Sequence, residues 1–232
     1  MSEISTDLSL QSEVNSLTLA DEQFTPAQRE AIAGFLGVET QNPALVPYLA
    51  ICAKWGLDPV AGQIWLIEQK IRGKNGQPDT YRQKPAVGRD GFLAIARRSP
   101  DYLGMDFDTV YSKDTFVVTR NGEEHTIFHE YRDIPGETAA GEDVSAYRGK
   151  LLGAYCKVHL KDRRPVYYFA PLKEHAQVGV NNSTGERYFR GSWSYTSVMI
   201  IKAAQSIALR LALGITGVVP VDETRPDEAE AP

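Results

Sequence analysis

The chain has 232 residues, 42% hydrophobic and 24% charged, with a formal net charge of −5, which suits a soluble globular domain carrying tails. It holds no run of 18 apolar residues, its first ten residues are polar and acidic, and its two cysteines, Cys52 and Cys156, form no CxxC pair. These features argue against a membrane span, a signal peptide and a disulfide framework, and point to a reduced cytoplasmic protein with both cysteines in its core.

The charge is unevenly placed. Residues 1–41 hold seven acids and one base, and residues 221–232 hold five acids and one base. Residues 99–147 hold eleven acids and three bases, whereas residues 148–210 reverse the balance with eleven bases and three acids. A basic block of this kind is either the footprint of a nucleic-acid partner or a solvated face.

In chain order, residues 1–23 lack periodicity and are predicted to be a flexible acidic segment. "TPAQREAIAGFLG" predicts a short helix within 24–41, with Thr25 as N-cap, Pro26 in the first turn, Gln28 closing a capping box and Gly37 as the stop. "NPALVPYLAICAKWG" repeats the device with Asn42, Pro43 and Gly56, and opens a core domain running from 42 to 220. "QIWLIEQKI" (63–71) and "DTYRQKPAV" (79–87) read as strands around a turn, and "RDGFLAIARRS" (89–99) as a helix. The strand "MDFDTVY" and the Asn-Gly hairpin "TFVVTRNGEEHTIFHEY" follow. Residues 133–147 read as an acidic, Gly-rich loop; "KLLGAYCKVHL" and "PVYYFA" pair around the basic turn "KDRR". Residues 173–192 read as a long polar loop, 191–214 as one apolar helix, and 221–232 as a disordered acidic tail. The order predicts an α+β fold of antiparallel β-hairpins packed with helices.

Catalytic signals are poor. His125, His129, His159 and His175 have no cysteine pair or third ligand at zinc spacing. There is no phosphate-binding GxxxxGK[ST] loop and no GxSxG elbow. Asp106 and Asp108 alternate on a strand, and with Glu130 they suit a Mg²⁺-dependent nuclease. A double-strand-binding regulator is a further alternative, although no helix-turn-helix pattern is present.

Signals for nucleic acid are better. Lys161, Arg163 and Arg164 of "KDRR", with Lys157 on the strand before it, place long cations where they reach phosphates. "GERYFRGSW" interleaves Arg187 and Arg190 with Tyr188, Phe189 and Trp193, a mixture that suits sequence-tolerant binding of single strands. On the helix 191–214, Lys202, Ser206 and Arg210 fall at about 0°, 40° and 80°, one polar stripe with its cations ~12 Å apart. Such a stripe either lines a groove or snorkels its cations out of a core.

Three longer stretches, "LAICAKWGLDPVAGQIWLI", "PAVGRDGFLAIARRSPDYLG" and "GSWSYTSVMIIKAAQSIALRLALGITGVVPVDE", occur in this order within residues 42–223. Together they resemble the RecT/Redβ (phage Bet-type) family of single-strand annealing proteins. The resemblance implies a Rad52-like core that binds single-stranded DNA and anneals complementary strands without ATP, cofactor, metal or enzymatic step. Lys161, Arg187, Trp193, Lys202 and Arg210 match positions implicated in DNA binding or annealing; Arg89, Lys157, Arg163, Arg164 and Arg190 complete the candidate contact set. The implied partners are single-stranded DNA, the annealed duplex and further copies of the chain in a ring or helical filament. A phage exonuclease or a host single-strand binding protein is a further implied partner, in the cytoplasm of a bacterium carrying the phage or prophage.

Overall fold

The computed structural model of the chain describes residues 23–71, 73, 77–121, 124–131, 147–181 and 183–220. They form helices and antiparallel strands, an α+β arrangement. Two compact units divide them: one runs up to Ile95 and resumes at Gly217, and the other is Ala96–Thr216. The span 42–220, read from the sequence as one core, therefore holds parts of both units. The flexible segment, the acidic loop and the acidic tail expected from the sequence lie outside the described residues, apart from Gln23 and Tyr147.

In the first unit, α1 (Pro26–Leu36) is bounded as its sequence dictates. The Gln28 N–H donates to Thr25 Oγ1 at 3.3 Å, the Thr25 N–H donates to Gln28 Oε1 at 2.9 Å, and Gly37 ends the helix at φ 67°. The second helix, α2 (Leu45–Trp55), ends at Gly56 but begins three residues after Asn42. Asn42 does not cap it. Its Oδ1 accepts from the Ala44 N–H at 2.9 Å, and its Nδ2 donates to Gln83 at 2.8 Å, tying the helix entry to a strand. That strand, β2 (Thr80–Val87), pairs antiparallel with β1 (Ile64–Ile71), with Ile64 opposite Val87. The fully buried Tyr48 donates to the Pro59 carbonyl at 2.6 Å, and burial raises its hydroxyl pKa well above the ordinary value. Helix α3 (Arg89–Arg98) follows β2.

The second unit has three layers. Strands β3 (Tyr102–Tyr111), β6 (Leu151–Leu160) and β7 (Arg163–Pro171) form an antiparallel sheet with β6 at its centre. Along β6 the buried Ala154, Cys156, Val158 and Leu160 alternate with the half-buried Tyr155, Lys157 and His159, the period-2 signature of a sheet covered unequally on its faces. Helix α5 (Thr196–Leu213) packs on the first face through Ile200, Ala203, Ala204, Ile207 and Ala208; the small residues let helix and sheet approach closely. The hairpin β4 (Thr115–Asn121) and β5 (Glu124–Glu130) covers the second face, where Phe116 stacks on Tyr155 at 5.5 Å and His125 on Tyr167 at 5.0 Å. By length and composition alone α5 is long and apolar enough to cross a membrane; half of it is buried inside the protein.

Two expectations are corrected in this unit. Only Lys161 and Asp162 make the β6–β7 turn, because Leu160 already pairs with Arg163; Asp162 takes the left-handed conformation at φ 53°. Residues 173–192 are not a loop throughout. They hold the single turn α4 (Leu172–His175), the hairpin β8 (Val178–Val180) with β9 (Arg187–Phe189), and the start of a 3₁₀ turn, Gly191–Ser194. Three-residue strands are too short to show an alternation, so the polar turn between them dominates the reading of the sequence.

Candidate nucleic-acid interface

At the tip of the β6–β7 hairpin, Lys161, Arg163 and Arg164 are all exposed. The turn is pinned by a hydrogen bond from the Lys161 N–H to the Asp101 carbonyl at 2.8 Å. Arg163 Nη2 lies 3.6 Å from Asp101 Oδ2, with both side chains about half exposed, 53% and 49%. A solvated pair at that distance contributes little, so it does not hold Arg163 back from a phosphate.

A second group of cations lies on the path from β9 into α5. Arg187 is exposed, and so are Tyr188 and Phe189, at 52% and 41%. Gly179 lies under Tyr188: a Cβ added there would meet Tyr188 Cζ and Arg190 Nε, each at 2.7 Å. The missing side chain is what lets the phenol and the guanidinium lie side by side across the hairpin. Beyond the 3₁₀ turn come Tyr195, 73% exposed, Val198, 50% exposed, and the half-buried Lys202. Val198 and Lys202 are about 40° apart on α5, so they share a face. Lys202 makes no hydrogen bond or ion pair with any described residue.

Several residues expected at the interface are placed elsewhere. Trp193 is only 1% exposed, because the 3₁₀ turn tucks its ring into the core; it is a packing residue and cannot stack on a base. Lys157 Nζ donates to the His125 carbonyl at 3.0 Å, on the sheet face that the β4–β5 hairpin covers. Arg89 belongs to the first unit, with Nη2 2.7 Å from Asp90 Oδ1. Arg190 and Arg210 are half-buried and have partners inside the protein. Gln205 and Ser206, the middle of the expected stripe on α5, are at 0% exposure, so Lys202 and Arg210 do not bound one open polar surface. Helical periodicity puts polar residues on one arc but does not say which neighbours cover that arc.

Nor are the two cation groups together. The β8–β9 hairpin lines a cleft of about 790 Å³ with Leu151 and Pro171, the start of β6 and the end of β7. The Lys161 turn closes the other end of those strands, roughly 30 Å away along a ten-residue strand. Of the exposed aromatics, Tyr195 was not expected; it stands two residues after Trp193, and no periodicity separates its exposed ring from the buried indole.

The carboxylates are engaged in the fold. Asp106 Oδ2 is 2.7 Å from His159 Nε2, and Asp108 Oδ1 accepts from the Thr109 N–H at 2.7 Å. Among the described residues no three histidines, cysteines or acids come together to hold a metal. Asp114, with a side chain 1% exposed, accepts from Arg148 at 3.0 and 2.6 Å and from the Tyr111 N–H at 2.8 Å, with His129 Nε2 at 3.0 Å. Burial alone would raise its pKa, but the Arg148, Tyr111 and His129 contacts outweigh burial and hold the carboxyl below its ordinary range. The Arg148 guanidinium also lies 3.5 Å from the Tyr131 ring centre and 4.5 Å from that of Tyr111, so this cluster clamps β3, β5 and the return to β6.

No curated protein matches the chain. Residues 22–232, nearly its whole length, match the sequence profile of the RecT family.

Proposed function

The chain belongs to the RecT family, DNA-binding proteins of phage-type single-strand annealing in recombination, and on that premise we propose that its second unit holds single strands by their phosphates and pairs them without ATP, as an assembly of copies. The observation that carries this reading is the run from Arg187 to Lys202, where the exposed Arg187 and the half-buried Lys202 bracket the exposed Tyr188, Phe189 and Tyr195. Arg187 and Lys202 contact phosphates on one side, Lys161, Arg163 and Arg164 on the other, and the three aromatics stack on bases or sugars. Stacking and phosphate contact are indifferent to sequence, as annealing of arbitrary strands requires.

Residues 42–220 are the annealing core in this reading, with the Rad52-like character its motifs imply, and the family's work is annealing rather than catalysis. Two complementary labelled oligonucleotides mixed with the protein, Mg²⁺ and no nucleotide give the test. Faster duplex formation with both strands intact is the expected result. Loss of strand would favour a nuclease, and pairing that waits for ATP would overturn the proposal.

A further inference from the structure

The β1–β2 hairpin of the first unit has two unlike faces. In its register Trp65 stands opposite Ala86, Ile67 opposite Lys84 and Gln69 opposite Arg82, so alternation puts these six residues on one face and Ile64, Gln83 and Val87 on the other. The face with Ile64 is turned inward: Ile64 and Val87 are buried, and Gln83 takes the Asn42 amide at 2.8 Å. The face with Trp65 stays largely open, with Trp65 51% exposed, Gln69 and Arg82 exposed, and Ile67 and Lys84 half-buried.

The indole of Trp65 is backed by glycine. A Cβ added at Gly62 would meet its Cζ2 at 3.5 Å, and one added at Gly88 would meet its Nε1 at 3.3 Å. Two residues without side chains let the ring lie close on backbone while about half of its surface faces solvent, the arrangement of a stacking platform. Beside it, Arg82 and Lys84 stand two residues apart on β2, about 7 Å along the strand. Neither makes a hydrogen bond or ion pair with any described residue. No residue of this face is acidic.

We propose that this face is a second binding surface for single-stranded DNA, with one unpaired base stacked on Trp65 and the neighbouring phosphates on Arg82 and Lys84. Uncommitted cations with no carboxylate among them select a polyanion, and an exposed indole beside them selects one with bases free to stack. A duplex keeps its bases paired inside, so it offers the cations phosphates but the indole nothing. This rests on the reading of the chain as a single-strand binder, and extends it to a unit where the sequence pointed to Arg89 alone.

Tryptophan fluorescence of the full chain, titrated with a thymidine strand of roughly twelve nucleotides, reads the indole directly. Wild-type emission is expected to fall, since a base stacked on an indole quenches it. Trp65→Phe is expected to lose most of that fall while Trp55 and Trp193 stay in place. Arg82→Ala with Lys84→Ala is expected to weaken binding of a labelled strand by roughly tenfold or more and to make the slope of log affinity against log salt shallower by about 1.4, with an unchanged thermal midpoint. Should loss of the half-buried Lys84 lower the midpoint, Gln69→Glu takes its place: it sets a carboxylate opposite Arg82 at an exposed position and is expected to weaken binding in the same way. Emission that stays constant while the labelled strand binds, a fall retained in Trp65→Phe, or folded variants with wild-type affinity and slope overturn the proposal and leave the second unit's DNA surface standing. Polyglutamate, or a duplex of the same length, quenching Trp65 as fully as the single strand also overturns it, since the face would then take any polyanion. A wild type that binds no single strand overturns the DNA reading as well.

Discussion

Lys202 and Trp193, nine residues apart, have opposite surroundings and should fail in opposite ways. Lys202 has no internal partner among the described residues, so Lys202→Ala should weaken single-strand binding by the ~1–3 kcal/mol of a charge-assisted contact and leave the thermal midpoint in place. Trp193→Ala empties a fully enclosed site and should lower stability by roughly 3–5 kcal/mol, with DNA affinity lost only in proportion to unfolding. Measuring melting and binding on the same two variants checks the split. Asp114 gives a second residue-scale prediction. Asp114→Ala leaves the buried Arg148 without its carboxylate and should cost roughly 3–5 kcal/mol in urea unfolding. Because the folded pKa of Asp114 is depressed, its contribution is fully present above the ordinary carboxylate value of about 3.9 and fades as pH falls through the lower folded value. Asp114→Asn should remove that part of the acid dependence.

Among the elements, the β6–β7 hairpin makes the clearest prediction. Replacing Lys161, Arg163 and Arg164 by Ala removes three exposed cations from one turn. The slope of log affinity against log salt for a single strand should then become shallower by about 2, since each phosphate contact contributes about 0.7. A titration at four or five salt concentrations reads this directly; an unchanged slope would remove the turn from the interface. The same elements show what a sequence discloses. Helix α1, the β1–β2, β4–β5 and β6–β7 hairpins and the core of α5 were legible, because caps, alternation and Asn-Gly turns act over a few neighbours. Asn42 was misread because its amide found a partner 41 residues away, in Gln83. The β8–β9 hairpin was missed because six strand residues are too few for a period. At the interface, residue type was legible but exposure was not: "RYFRGSW" gives no local sign that Tyr188 stays outside while Trp193 goes in.

At the scale of the whole molecule, the separation of the two cation groups sets a length. A strand touching both Arg187 and the Lys161 turn crosses roughly 30 Å, or about nine nucleotides at ~3.4 Å each. Affinity per copy should rise with oligonucleotide length up to about that number and level off beyond it. A plateau at three or four nucleotides would mean that one group alone holds the DNA. The net charge of −5 conceals this behaviour, since the same chain should be displaced from single strands by moderate salt as a basic protein is.

The enclosure of the two cysteines has a practical side. Cys52 and Cys156 are at 0% exposure, and burial, foremost among the causes, pushes both thiols up to about 12. Thiolate is the reactive form, so at neutral pH both should be inert to maleimide while the chain is folded. A cysteine introduced at an exposed position such as Ser183 therefore becomes the one labelling site without any change to the native pair. A fluorophore placed there reports energy transfer between neighbouring copies during strand pairing, and slow labelling of the unaltered chain becomes a clock for its unfolding.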